Sequence, residues 1–216
     1  MGTDLVRAIF SVDDIFFLTL RKLIASPGHL AREYIAGRRV GYFGPLSLLA
    51  VLGVLDAAVR SWAHYTPTDA ITDETVLRLS VAIEQARHDY QKIVLLSMVP
   101  VEAALSRLWF RRAGWNYAEH FVLNIYTACT GLLVSIATFG IIATLHPEAS
   151  SSLTLTRLSV PASAGYAATL YYQCFSKFGY SRVFLALRSL FVVLSLYVVI
   201  VVVLAFVVLT RASKWP

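Results

Sequence analysis

The chain has 216 residues, of which 57% are hydrophobic and only 15% charged, with a formal net charge of +6. A soluble domain of this size carries about a quarter charged residues, so the composition points to a bilayer as solvent. The length suits one small helical bundle and leaves no room for a second sizeable domain. The positive charge does not indicate nucleic acid, because the arginines are spread between apolar segments, a pattern that suits a membrane surface.

The first residues, MGTDLVRAIFSVDD, carry acids early and no continuous apolar run, which predicts no cleavable signal peptide. Val6 departs from the pattern for myristoylation after Gly2. From Ser11 to Ile24 the spacing predicts an amphipathic helix, capped by Ser11 and with Asp14 in the first turn, where the helix dipole favours an acid. Its run IFFLTLRKLI is too short to span, and is expected in the cytoplasmic interface with Arg21 and Lys22 toward headgroups. The alternative is ordinary packing under the bundle. Ser26-Pro27-Gly28 breaks this helix, and Pro27 can open a second, short one that ends at Gly37. Gly41-Tyr42-Phe43-Gly44-Pro45 then reads as a flexible entry to the first span, with aromatics at the interface.

A membrane-crossing helix needs about 20 apolar residues. Five stretches qualify, at about 43–62, 93–110, 117–145, 158–178 and 184–209. The last, with VVLSLYVVIVVVLAFVVL, is free of charge, whereas the fourth is interrupted by Pro161 and rich in Ala, Ser and Gly. Residues 64–90 form the one long connection, and their second half has the spacing of a helix running on into the second span. The expected fold is therefore an all-α integral membrane protein. Residues 1–40 would be a cytoplasmic interfacial segment, and residues 41–216 a bundle of five transmembrane helices.

Lys and Arg counting orients it. Arg7, Arg21, Lys22, Arg32, Arg38 and Arg39 precede the first span, and Arg107, Arg111 and Arg112 lie between the second and third. Lys177, Arg182 and Arg188 fall around the turn between the fourth and fifth, so 12 of the 19 basic residues share one side. The expectation is N-in, C-out.

Ionisable groups inside a membrane are costly and mark places to look for function. Asp56 and Arg60, four apart, can neutralise one another locally. Glu102 lies about 12 Å along its helix from Phe110, at a rise of 1.5 Å per residue. It shares no good face with Arg107, so it needs a partner on another helix or stays protonated. In the third span, Asn116, His120, Thr127 and Thr138, with Glu119, Asn124, Gly131 and Ser135, fall on one broad face. Phe121, Ile125, Leu132, Ile136 and Phe139 fall opposite. Bundle packing explains such a face. A functional reading makes Glu102, Asn116, Glu119, His120 and Asn124 a polar cluster lining a cavity. Adjacent Glu119-His120 lacks the spacing of a metal-binding helix, and no nucleophile-elbow, P-loop or dinucleotide motif occurs. No metal, cofactor or catalytic residue is therefore assigned. Cys129 and Cys174 lie in apolar segments and read as small packing residues.

Two passages, LRKLIASPGHLAREYIAGRRVGYFGPLSLL (20–49) and RRAGWNYAEHFVLNIY (111–126), resemble a bacterial family known as domain of unknown function 3667. The marks are a Pro-Gly, an Arg-Glu-Tyr, a Gly-basic-basic and an aromatic-Gly-Pro helix start, then Asn-Tyr-Ala-Glu-His before an apolar helix. The intervening KIVLLSMVPVEAALSRLWFRR, with its mid-helix Pro, also suits that family, and the resemblance covers most of residues 15–140. Family members often begin with a Cys-x-x-Cys zinc ribbon, which this sequence lacks. The resemblance implies a bacterial inner-membrane protein and carries no activity with it. The function expected from the residues is non-enzymatic. It is the binding of anionic lipid, or of a membrane-protein partner, at a basic cytoplasmic face made by Arg32, Arg38, Arg39, Arg111 and Arg112. The alternatives are a small transporter or lipid-translocating protein with a polar path at Glu102 and His120, and a membrane enzyme using Glu119 and His120 as acid and base.

Overall fold

The computed structural model describes residues 2–64 and 98–212, which are helical apart from short turns. In order, the helices are α1 (Gly2–Ala25), α2 (Pro27–Ile35), α3 (Pro45–Ala63), α4 (98–109), α5 (Tyr117–Leu145), α6 (Ala149–Phe175) and α7 (Arg182–Ala212). A 3-10 turn, Arg111–Ala113, joins α4 to α5. Among the described residues, three stretches are long and apolar enough to cross a membrane: α3, α5 and residues Arg182–Val199 of α7. The helix expected in residues 73–92 lies outside the described residues, as does the start of the second predicted span.

Two helices are longer than their sequence suggests. α1 begins at Gly2, so Ser11 is an interior position of the helix rather than its start. No proline or further glycine follows Gly2 in that stretch to stop a helix. α6 starts at Ala149, nine residues before the predicted span, and carries Pro161 in its interior. Pro161 has no N–H to give the carbonyl of Arg157. Around it, hydroxyls bond back to other carbonyls of the same helix: Thr156 donates to Ser152 O, Ser159 to Thr156 O and Ser163 to Val160 O.

α5 is the central helix, packed by α1, α2, α3 and α6. That position changes the expected division of its faces. Leu123 to Thr127 are buried without interruption, and both the hydroxyl-bearing Thr138 and the large Phe139 are covered. Ile125 and Phe139, expected opposite the polar face, are core residues because neighbours cover α5 from several sides. Phe110 stacks on Phe175 at 4.0 Å between ring centres, and Trp109 on Phe191 at 5.4 Å, which ties α4 to α6 and α7. Cys129 and Cys174 are buried free thiols within this core.

The N-terminal pair α1–α2 is clamped to α6. Leu23, Leu30 and Ala31 are fully buried, while Phe17, Leu18, Arg21 and Ile24 are exposed. One face of the segment is thus bundle core, and the other is an apolar, basic surface. Gly28 lies so close to α6 that an added Cβ would come 2.2 Å from the Leu170 carbonyl oxygen and 2.6 Å from the Cys174 nitrogen. The hydrogen bonds across this contact are reciprocal caps. Tyr166 donates to the Leu23 and Ile24 carbonyls at the end of α1, and the Gln173 side chain accepts from the Gly28 N–H at the start of α2. Arg32 Nη1 in turn donates to the Gln173 and Cys174 carbonyls at the end of α6, where a cation also suits the helix dipole.

The entry to α3 is held rather than flexible. Tyr42 bonds both Lys22 and Glu33, whose charges stand 3.2 Å apart, and the Phe43 N–H donates to Thr19 Oγ1 at 2.9 Å. The hydrogen bond that Tyr42 donates to Glu33 is the main cause that lowers the Glu33 pKa, and the one it accepts from Lys22 is the main cause that raises the Lys22 pKa, so both stay charged.

Candidate functional site: a buried polar network and an entry pocket

Glu102 is 4% exposed and points at α6, where Tyr171 Oη lies 3.2 Å from its Oε1. The same phenol bonds Asn124 Oδ1 on α5. Asn124 Nδ2 donates to Ser106 Oγ at 2.9 Å and to the His120 carbonyl at 2.6 Å, and Ser106 Oγ lies 2.9 Å from His120 Nδ1. Glu102, Tyr171, Asn124, Ser106 and His120 thus form one chain of bonds linking α4, α5 and α6. Its direction follows from donor counting. The His120 carbonyl only accepts, so the amide nitrogen of Asn124 faces it and the amide oxygen faces Tyr171. Tyr171 has one proton, and Asn124 takes it. The contact with Glu102 then closes as a full hydrogen bond when the carboxyl itself carries a proton.

His120 is fully buried, with the rings of Trp115 and Phe175 each 5.9 Å away and no hydrogen-bond partner on Nε2. Asp56, 2% exposed, receives Arg60 Nε at 2.8 Å, as its spacing predicts, and a Ser135 hydroxyl from α5 completes the arrangement. Arg60 also lies over the Phe139 ring at 4.0 Å.

Of the five polar residues singled out in sequence, the structure joins Glu102, His120 and Asn124 and separates the other two. Asn116 Oδ1 accepts the Glu119 N–H at 2.9 Å, and Glu119 Oε2 accepts the Asn116 N–H at 2.7 Å. This is a capping box that starts α5. Glu119 therefore faces away from the buried imidazole of its neighbour. Ser106 and Tyr171, which complete the network, carried no sequence signal beyond being polar residues in apolar helices.

The five arginines also divide. Arg32 is engaged on the end of α6 and by His29 Nδ1 at 2.6 Å. Arg38, Arg39, Arg111 and Arg112 are exposed. Arg38 stands 3.9 Å from Glu33, and Arg39 lies over the Tyr34 ring at 5.9 Å.

Arg39 lines a half-open pocket of about 500 Å³ at the N-terminal ends of α3 and α5. Tyr34, Arg39, Ser47, Asn116 and Glu119 supply its polar lining, and Leu46, Phe121, Val122 and Ile125 are among its apolar walls. The two passages that carry the family resemblance thus meet on one cavity. Tyr34 to Ser47 come from the first, and Asn116 to Ile125 from the second.

Residues 13–55 match the family described as Protein of unknown function (DUF3667). The match contains the first passage, and the second, at 111–126, lies beyond it. No curated protein and no solved structure matches the chain.

Proposed function

We propose that the chain is a non-enzymatic integral membrane protein of a bacterial inner membrane, with five spans and its N-terminus inside. On this reading its basic end holds anionic lipid headgroups at the cytoplasmic surface. The observation that carries the proposal is the exposure of Arg38, Arg39, Arg111 and Arg112 around the point where α3 and α5 both begin. Guanidinium groups match phosphate with paired donors, and arginines beside apolar helix starts stand at headgroup depth when the helices cross a bilayer. Exposed Phe17, Leu18 and Ile24 beside exposed Arg21 on α1 supply an apolar, basic surface of the kind that rests in the interface.

Lipid mass spectrometry after purification in mild detergent tests the proposal. Anionic phospholipid is expected to be enriched over the bulk membrane, and the enrichment to fall in a triple Arg38→Gln, Arg111→Gln, Arg112→Gln variant. Unenriched lipid in both proteins contradicts it, and a co-purifying membrane protein lost from the variant replaces the lipid by a partner.

A second reading, a small transporter or lipid-translocating protein, is favoured by one observation. Glu102, Asn124 and His120 gather inside the helices rather than pairing separately. A path through them would require Trp115 and Phe175 to leave the His120 ring and the Tyr171 bonds to open.

A further inference from the structure

The entry pocket differs in charge from the surface around it. Arg38, Arg111 and Arg112 are exposed cations, but the pocket sets one cation, Arg39, with one carboxylate, Glu119. These two do not pair with each other. The ion pairs among the described residues are Lys22–Glu33, Arg38–Glu33 and Arg60–Asp56. Arg39 has its guanidinium over the Tyr34 ring, and Glu119 uses Oε2 for the Asn116 amide, which leaves Oε1 to accept. A ligand carrying only negative charge would meet Glu119 as a repulsive neighbour. One carrying both a phosphate and an ammonium satisfies both groups. The apolar wall of Phe121, Val122 and Ile125 adds a requirement that a free phosphate does not meet: a hydrocarbon portion continuous with the charged head.

We propose that this pocket is a selective site for a phospholipid whose headgroup bears a primary ammonium, of the ethanolamine type. Its phosphate lies on Arg39 and Ser47, its ammonium on Glu119, and the start of an acyl chain on the α5 wall. Three N–H donors on the ammonium suit a carboxylate oxygen, whereas a trimethylated ammonium has none to give. The inference rests on the membrane reading above but concerns a different lipid in the pocket beside that surface, with Arg39 common to both, and the two fail separately: the basic surface is tested with Arg39 intact, and the pocket with Arg38, Arg111 and Arg112 intact.

The test uses the delipidated full chain in detergent. Binding of ethanolamine, glycerol and choline phospholipids with the same acyl chains is compared by native mass spectrometry, with inorganic phosphate as competitor. Ethanolamine lipid is expected to bind about tenfold more tightly than the other two, the size of one charge-assisted hydrogen bond. Glu119→Gln is the informative variant, because glutamine preserves the capping box and removes only the charge. It should keep the melting temperature of the lipid-free protein and abolish the preference, whereas Arg39→Gln should weaken all three lipids. Equal binding of the three lipids, preference for the glycerol lipid, a preference unchanged in Glu119→Gln, or displacement by inorganic phosphate would each overturn the assignment.

Discussion

At the scale of single residues, the decisive features are polar atoms that close on one another away from water. Glu102 is the clearest case. No described residue of its own helix pairs with it, and its neighbour in space is a phenol already committed to an amide. A carboxylic acid in that place gives every member of the chain from Glu102 to Ser106 a donor and an acceptor in the right order. Glu102→Gln should therefore fold with little loss, since a carboxamide N–H replaces the acid O–H toward Tyr171. Glu102→Ala removes the partner and should cost about 1–3 kcal/mol, the usual penalty for an abandoned buried polar group. Thermal unfolding in detergent compares them; if glutamine is as damaging as alanine, the bonding order is wrong. The sequence exposed Glu102 as a problem, because a carboxyl in an apolar helix needs a partner, but not its solution. Ser106 and Tyr171 lie far from each other along the chain, and only the packing of α4 and α6 on α5 brings them together. Asn116 and Glu119 show the opposite case. Their three-residue spacing at a helix start is a local cap, so a polar cluster that looked functional was partly secondary-structure chemistry.

At the scale of elements, the N-terminal helices are docked through caps rather than through apolar contact alone. Arg32 closes the end of α6 and donates from Nη2 to His29 Nδ1, which can accept only when the imidazole is neutral. Burial, then the nearby charges of Arg32 and Lys177, lowers the His29 pKa below its ordinary value, with Glu33 opposing. A base with a lowered folded pKa binds fewer protons folded than unfolded, so the stability linked to it is complete above about pH 6.5, the ordinary imidazole value. It is lost as pH falls from there through the folded pKa. Melting temperatures between pH 8 and pH 5 should therefore decline on the acid side, and His29→Gln should flatten that part of the decline. An unchanged acid limb in the variant would assign the effect elsewhere. This docking was only half legible in sequence. Pro27 and Gly37 punctuate α2 as they should, with Pro27 at its start and Gly37 at φ +99 just past its end. Nothing in the residue pattern, however, shows that Gly28 meets the backbone of a helix some 140 residues later.

At the scale of the whole molecule, helix positions were well legible because apolar length is a direct consequence of bilayer thickness. α3, α5 and α7 lie where the runs of apolar residues place them. α6 was harder to bound, since Pro161 in its interior and the serines at its start are poor helix formers in water. The pocket was not legible at all. It needs Tyr34 to Ser47 beside Asn116 to Ile125, and those stretches become neighbours only because α3 packs along α5 with both N-terminal ends together.

That shared end underlies the proposed headgroup-binding surface, which requires it to lie at the cytoplasmic face of the bilayer. Both native cysteines are buried, so an introduced surface thiol would be read against a low background. Three positions suffice: Ala36→Cys beside the basic loop, Ser181→Cys between α6 and α7, and Glu148→Cys between α5 and α6, all exposed. In intact cells a membrane-impermeant maleimide should label only the cysteine at position 148, with those at 36 and 181 reacting after the membrane is opened. Labelling at 36 and 181 in intact cells, or at all three without permeabilisation, would contradict a basic end held at the cytoplasmic face.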